Sequence, residues 1–334
     1  MKFKNIARLI VVASITVTTG TALLLWSSGL FAAAGGLAFP EQGGPISGTA
    51  QAGQAAVARD ASTAWLNPAG LTRIDKTQLL VGAQIIDLSA EFNPDSRTTT
   101  TGSDGGNAGG SFPGGSFYLA VPVNQRLTAG FSFTAPYGLP LEYKSDWVGR
   151  SYATELDLLT INIEPSLGYK VNDWVSIGIG IDFQYADFEQ KMIVPAGPVD
   201  LNVAIDGDSW EVGASLGILF EPSATTRYGL IYRTEMAHDL EGDLNTIVNR
   251  QVSASQTIPQ SLTFSAYHEL DPRWAILADV GWTDWSAFDR TVININGPAA
   301  QLERHLEFWA GCALPVSQEL AAYDRRFVCQ FSGV

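Results

Sequence analysis

The side chains that most often carry out chemistry are few in this sequence and lie far apart. The three histidines are His238, His268 and His305, and no two of them have the spacing of a metal-binding motif. The two cysteines, Cys312 and Cys329, can form at most one disulfide and no disulfide framework. We find no Ser/His/Asp constellation and no persuasive pair of carboxylates. The sequence therefore predicts a protein that is not an enzyme and that uses neither a metal nor a cofactor.

Glycine pairs between Gly105 and Gly115 form a stretch that superficially matches a phosphate-binding loop. The stretch lacks the Lys-Ser/Thr pair and the following helix that such a loop needs. We predict an external loop there instead. The formal net charge of −14 also argues against nucleic acid as a partner, because nucleic-acid binding requires a basic surface.

The strongest pattern in the chain is an alternation of side chains over residues 175–185. Every odd position is large and apolar, and every even position is small or polar, which predicts a strand with one apolar face. Further strands are predicted at residues 78–92, 116–123, 127–134, 154–171, 175–188, 209–221, 227–235, 260–270 and 274–285. Short turns alternate with long loops between them, a rhythm typical of outer-membrane β-barrels.

Residues 1–34 have the composition of a cleaved signal peptide. Basic residues precede an apolar stretch, and Ala32-Ala33-Ala34 offers a small-residue cleavage site. A retained transmembrane anchor is the alternative, because the apolar stretch is long enough to span a bilayer. Residues 35–75 show no strand alternation and contain a predicted short helix over residues 51–65. No later segment resembles a transmembrane helix, so a membrane location requires a closed barrel.

Several segments resemble FadL-like outer-membrane transporters of long-chain fatty acids and hydrocarbons. Residues 52–71, centred on Asn67-Pro68-Ala69, resemble the plug region of that family. Further similarities lie at residues 135–139, 146–150, 165–174, 228–235, 274–275 and 282–286. Each motif is weak alone, but their order and spacing are specific together, and they cover residues 35–295.

The resemblance implies an all-β fold, namely an antiparallel transmembrane β-barrel of about fourteen strands. Residues 76–298 would supply the barrel, here incomplete, and residues 35–75 a small helical hatch that plugs the lumen. The implied protein is a monomer in the outer membrane of a Gram-negative bacterium, in contact with lipid and lipopolysaccharide. Its implied function is transport of hydrophobic compounds, with movement of the hatch and lateral release into the membrane.

The resemblance also implies where ligand contacts lie. Leu37 and Phe39 fall where the start of the hatch reaches the ligand, and the outer loops carry Tyr137, Leu139 and Trp147. The alternatives are packing inside the barrel for the first two and anchoring at the membrane interface for the loop residues. Asn67-Pro68-Ala69 is the predicted hatch motif; a capped turn that merely seats the hatch is compatible with that role.

Lys191 is the candidate partner for the carboxylate of a fatty acid. Its surroundings contain Asp187 and Glu189 but no arginine, which leaves neutral aromatics and alkanes open as substrates. Leu219 and Leu277 interrupt the polar side of their strands and are further candidates for the lumen. A general porin for small polar solutes is the alternative function, and an outer-membrane lipase or protease is a third, for which no catalytic residues are found.

Residues 299–334 break the strand pattern and lack the C-terminal aromatic residue that outer-membrane barrels usually carry. We interpret this tail as aberrant and predict a frameshift near Pro298, because a shifted reading of plausible codons restores a strand of the family's type. The alternatives are a divergent C-terminus and a truncated product that does not function.

Overall fold

A computed structural model describes residues 38–39, 44–96, 98–196, 199–245, 250–288, 291–295 and 306–308. The signal peptide, Leu37 and most of the tail from residue 299 lie outside these ranges. The described strands are β1 (Gln78–Asp87), β2 (Ser111–Pro122), β3 (Leu127–Thr134), β4 (Leu141–Glu142), β5 (Glu155–Lys170), β6 (Val175–Ala196), β7 (Val199–Ser223), β8 (Thr226–Arg233), β9 (Met236–Asn245), β10 (Arg250–Ile258), β11 (Ser261–Asp271), β12 (Trp274–Thr283), β13 (Thr291–Ile295) and β14 (Leu306–Phe308). Within the described ranges, no helix is both long enough and apolar enough to cross a membrane.

All the strands belong to one antiparallel sheet. The order runs β1-β2-β3-β5-β6-β7, and the short β4 pairs with β5. Beyond β7 the sheet divides, because β8 pairs with residues 215–223 of β7 and β9 pairs with residues 204–208. β8 leads to β11 and β12, whereas β9 leads to β10, β13 and β14. Among the described residues, β1 and β12 each pair along one edge only.

The alternation at residues 175–185 produces the two faces of β6. Ile177, Ile179 and Ile181 are 46%, 48% and 46% exposed on the outer face. Asp182 and Gln184 are buried on the inner face. The stretch from residue 175 to 185 has the length that a tilted transmembrane strand needs, about 9–11 residues. We therefore assign this part of β6 to the membrane.

The polarity of both faces reverses beyond Tyr185. Asp187 and Asp208, on neighbouring strands, lie opposite each other on the outer face, where apolar side chains stood before. The inner face becomes apolar, with Ala186 and Ile205 2% exposed. Tyr185 and Trp210 mark the change, with ring centroids 5.3 Å apart. An aromatic pair at this height is typical of the membrane–water interface, so the strands continue beyond the membrane.

An N-terminal segment, residues 44–75, lies against the inner face of the sheet. It contains two 3₁₀ turns, Pro45–Thr49 and Pro68–Arg73, and one α-helical turn, α1 (Thr63–Leu66). Its apolar residues pack against Tyr118 on β2, Leu219 on β7, and Tyr267 on β11. The segment thus occupies the space that the curved sheet encloses.

The prediction of a helix over residues 51–65 is wrong, since only the last turn is α-helical. Ala50, Gln51 and Ala58 have positive φ angles of 49°, 64° and 42°, which interrupt a right-handed helix. Alanine content alone favours a helix, but here the alanines are small residues that allow close packing against the sheet. Ala56, Ala61 and Ala64 are fully buried in that contact.

Two strand predictions also require correction. Residues 189–208 were predicted as a long loop but form the outer ends of β6 and β7, which pair as far as Ala196 and Val199. β9 and β10 are not among the predicted strands. In both cases the reason is the reversed polarity above the membrane, where polar residues, many of them acidic in β6, β7 and β9, alternate with apolar ones and the pattern no longer matches a lipid-facing strand.

Candidate hatch and ligand-binding region

Asn67 joins two parts of the N-terminal segment to the wall of the sheet. Its Nδ2 donates hydrogen bonds to the Ala55 carbonyl at 2.7 Å and to the Ile218 carbonyl on β7 at 3.1 Å. Its Oδ1 accepts from the Ala69 amide at 3.1 Å and so caps the 3₁₀ turn. Because Asn67 is 1% exposed, each of these bonds satisfies a group that has no access to water.

A row of glycines lies beneath this motif. Gly168 on β5 pairs with Gly178 on β6, which in turn pairs with Gly217 on β7. A β-carbon on Gly178 would collide with Ala69, and one on Gly217 would collide with the Asn67 side chain. We call these three residues the glycine row; their missing side chains allow the main chain of the motif to touch the wall.

A chain of polar side chains runs along the inner wall above the glycine row. Ser209 bonds to His238 at 2.8 Å, and His238 bonds to Gln184 at 3.1 Å. Gln184 donates to Asn162 at 3.3 Å, and Asn162 donates to Asp182 at 2.8 Å.

The chain ends at an ionic cluster made by Asp182, Glu164 and Arg233. Arg233 bonds to Asp182 at 3.3 Å and to Glu164 at 3.2 Å. The same guanidinium donates to the carbonyl of Trp65 in α1. Hydrogen bonds therefore connect the wall to the N-terminal segment without a break.

Above this polar chain the inner wall is apolar. The residues packed together there come from β6, β7, β9 and β10, and we call them the upper cluster: Ala186, Phe188, Met192, Val203, Ile205, Leu240, Val252 and Ala254. Ala186 and Leu240 follow Gln184 and His238 by two residues on the same inner faces. The upper cluster thus lies directly on the polar chain.

Leu139 extends the upper cluster toward the outer loops. It packs against Leu158, which also contacts Trp285 and Phe188, and Phe188 belongs to the upper cluster. The Leu139 amide donates to the Leu158 carbonyl at 2.9 Å, which holds the loop against β5. A continuous apolar surface therefore leads from a loop residue into the enclosed part of the sheet.

Residues 38–39 pair with the loop that carries Tyr137. Ala38 forms a β-bridge with Tyr137, and the Phe39 amide donates to the Pro136 carbonyl at 2.8 Å. The Phe39 ring meets Phe112 edge-on at 6.0 Å. Burial raises the pKa of the Tyr137 hydroxyl above its usual value.

Trp147 lies in a separate group formed by the outer loops. It is 6% exposed, and its ring stacks on Tyr143 at a centroid distance of 4.0 Å. Its Nε1 donates to the Ala153 carbonyl at 2.7 Å, and Phe92 meets the ring edge-on at 5.8 Å. These contacts make Trp147 the centre of a small core that joins the two loops. Burial likewise raises the pKa of Tyr143.

The structure does not bring Lys191 to the other candidates. Lys191 lies on the outer face of β6, beside the inward-facing Gln190 and Met192. It forms ion pairs with Glu155 at 2.8 Å and with Glu189 at 3.0 Å. A strand period of two places it on the side of the wall away from the lumen.

Leu219 and Leu277 face inward but contact the N-terminal segment rather than an open space. Leu219 packs with Ala58 and Ala69. Leu277 packs with Ile46, Ala56 and Val57. Both residues therefore help to seat the segment.

Sequence reasoning missed the ionic cluster and the upper cluster. Arg233 lies at the end of a predicted strand, and nothing local distinguishes it from an exposed arginine. A signal was available for the upper cluster: apart from Gln190, the even positions of β6 from Ala186 onward are apolar, out of phase with the lipid face below. That phase change marks the point where the apolar face turns inward.

A sheet with an apolar outer face at membrane height, a polar inner face and an internal N-terminal segment defines the architecture of an outer-membrane β-barrel protein. Solved structures show the same fold. A FadL homologue from Pseudomonas aeruginosa superimposes with a TM-score of 0.72 at 22% identity, covering 78% of this chain and 72% of that one. The toluene transporter TbuX of Ralstonia pickettii gives a TM-score of 0.57 at 17% identity, with 72% of each chain covered.

The family follows from the sequence. The profile of the family described as outer membrane protein transport protein (OMPP1/FadL/TodX) matches residues 25–311, and this chain belongs to that family. A long-chain fatty acid transport protein of Escherichia coli O6:H1 is 28% identical over 284 residues, which cover 72% of this chain. The match spans 64% of the length of that relative. The predicted all-β barrel fold, the family and the outer-membrane location are thereby confirmed.

Proposed function

We propose that this protein transports hydrophobic compounds, either long-chain fatty acids or related hydrocarbons, across the outer membrane. The proteins that it resembles include a long-chain fatty acid transport protein and a toluene transporter. The proposed partners are these small molecules together with membrane lipid and lipopolysaccharide, and the proposed form is a monomer. The proposal includes no reaction, in keeping with a family of transport proteins.

The observation that carries the proposal is the reversal of polarity along β6 and β7. Above Tyr185 the sheet turns an acidic face outward and the upper cluster inward. Apolar side chains enclosed by a water-facing wall offer a hydrophobic molecule a surface on which it is shielded from water. Each Å² of apolar surface removed from water contributes about 25 cal/mol to binding. Leu139, which packs against Leu158, extends this surface toward the outer loops.

We infer that the N-terminal segment acts as a hatch. It lies beneath the upper cluster and touches the wall at the glycine row, so a molecule leaving the upper cluster meets Asn67-Pro68-Ala69 and α1. Transport then requires a second arrangement of the hatch, in which the upper cluster has a lower affinity. Tyr137, Leu139 and Phe39 remain proposed ligand contacts, as does Leu37; Trp147 would act indirectly, by ordering the loops.

The general-porin alternative fits these observations less well. A porin passes polar solutes through an aqueous lumen, whereas here the described inner wall is apolar above and filled by the N-terminal segment below. The comparison of a small sugar with toluene and oleate in the same uptake assay separates the two functions. A porin would admit the sugar and show no preference for the hydrophobic compounds.

A pair of matched variants tests the role of the upper cluster. Ala186 faces the cluster on β6, whereas Ala237 on β9 is exposed on the outer face. We expect Ala186→Trp to fill the binding space and to lower uptake of labelled toluene or oleate about tenfold, and Ala237→Trp to leave it unchanged. Equal uptake by the two variants, with both assembled in the membrane, would rule out the upper cluster as the binding region.

A further inference from the structure

Arg233 makes a junction between the wall and the N-terminal segment. It is the last residue of β8, and its guanidinium reaches Glu164 on β5 and Asp182 on β6. The same group donates to the Trp65 carbonyl, and its central carbon lies 3.6 Å from the centroid of the Trp65 ring. One side chain thus ties three strands to α1 through a hydrogen bond and a cation–π contact.

The junction is enclosed. The side chains of Glu164 and Asp182 are 0% and 3% exposed, and that of Arg233 is 18% exposed. Ser215 donates to the second oxygen of Glu164 at 2.5 Å, and Asn162 donates to Asp182 at 2.8 Å. Both carboxylates are therefore satisfied by the protein itself, and the donors of Arg233 are directed at protein atoms rather than at a ligand.

The position of the contact gives it a mechanical consequence. Trp65 belongs to α1, and Asn67 follows directly and is bonded to β7. Two adjacent points of the segment are thus fastened to the wall, one through neutral hydrogen bonds and one through a charged group. Only the charged contact is connected to the polar chain, because Arg233 bonds to Asp182 and Asp182 accepts from Asn162. A rearrangement of the polar chain would therefore change the contact of Arg233 with Trp65.

We propose that Arg233 is the latch of the hatch: a positioning residue that holds α1 against the wall through Trp65 and keeps the lumen closed. The proposal rests on the hatch-gated transport proposed above. It assigns to Arg233 a role in closure, whereas the role of Asn67-Pro68-Ala69 is to seat the hatch on the glycine row. Loss of the latch should leave the barrel assembled and the hatch free to move.

The test measures ion conductance of the purified full chain in planar bilayers. We expect Arg233→Gln to raise the conductance about tenfold or more, because a charge-assisted contact no longer holds the closed arrangement. This variant also leaves two buried carboxylates without a cation, and their repulsion could open the wall by itself.

A triple variant separates these two causes. Arg233→Gln combined with Glu164→Gln and Asp182→Asn removes all three charges and the contact with Trp65 together. If the contact is the latch, the triple variant conducts as well as Arg233→Gln. If the triple variant is as closed as the parent, repulsion in the wall explains the single variant and the latch is overturned. Arg126→Gln, in an exposed turn, is the control and should leave the conductance unchanged.

Trp65→Leu keeps the test decisive if the Arg233 variants fail to assemble. It removes the ring beneath the guanidinium but leaves the ionic cluster intact, and we expect an increase in conductance smaller than that of Arg233→Gln. Parent-like conductance of Trp65→Leu, with the Arg233 variants unassembled, would overturn the proposal. Uptake of toluene and of oleate by the unaltered chain is measured in parallel. If neither compound is taken up, the transport function is refuted, whereas normal uptake of either compound with no change in the conductance of the variants refutes only the latch.

Discussion

The amide of Ala69 lies directly on Gly178, so closely that a β-carbon on Gly178 would collide with the Ala69 amide nitrogen and the Pro68 carbonyl carbon. Gly178 is the centre of the glycine row and has a glycine opposite it on each neighbouring strand. Main chain therefore packs on main chain at this point of the lumen. Such an approach positions the N-terminal segment with little tolerance, because no side chain lies between the two that could adjust its conformation.

The glycine row predicts a specific effect of a larger side chain. Gly178→Val should lower the free energy of unfolding by about 1–3 kcal/mol, because the valine would overpack the contact with Pro68 and Ala69 of the N-terminal segment. Valine is the better strand former, so a loss cannot come from strand propensity. The measurement is the unfolding midpoint in detergent. Gly115→Val is the control, since its β-carbon would meet only the Gly82 carbonyl at 3.7 Å, and an equal loss there would contradict the explanation.

Asn67 allows a substitution that removes a single function of its side chain. Asn67→Asp keeps the acceptor for the Ala69 amide but loses the donor to the Ala55 and Ile218 carbonyls, at a cost of about 1–3 kcal/mol. We expect reduced uptake of the hydrophobic substrate by a barrel that still assembles. The control is Asn172→Asp, whose Oδ1 only accepts from the Trp174 and Val175 amides in an exposed turn. An unchanged uptake rate in Asn67→Asp would remove this residue from the mechanism.

Trp147 is expected to order the outer loops. Trp147→Leu removes the stack on Tyr143 and the bond to Ala153, so amide hydrogens of the loop core should exchange about tenfold faster. The amides to follow are those of Ser103, bonded to Asp146, and of Val148, bonded to Ser103. Trp174→Leu, which removes a tryptophan that is 65% exposed, should leave both rates unchanged. If both variants accelerate exchange equally, the loop core does not depend on Trp147.

The frameshift proposed for the tail is tested at the level of the gene. Nucleotide sequence through the codons of residues 299–334 should show an open frame shifted by one position. That frame should encode further alternating strands. Early stop codons in the shifted frame would contradict the interpretation and favour a divergent C-terminus.

Strands in the membrane were predictable because a strand between lipid and a polar lumen must alternate with a period of two. β3 was predicted over residues 127–134, the range it occupies. The outer ends of β6 and β7 were not predictable by the same rule, because outside the membrane the acidic face turns to water and the apolar face turns inward. Of the candidate ligand contacts, Phe39, Tyr137 and Leu139 lie near the enclosed surface, whereas Lys191 lies on the outer face of β6.

The sequence alone determined that this chain forms lipid-facing antiparallel strands and belongs to a family of outer-membrane transport proteins. It also predicted a capped turn at Asn67-Pro68-Ala69. Only the tertiary structure decided which residues meet inside. Arg233 and Glu164 are 69 positions apart along the chain, and Arg233 and Trp65 are 168 apart. Their contact depends on strand order and register, which set the height of each side chain in the lumen. An alternating pattern has no information about either, because it repeats identically at every height.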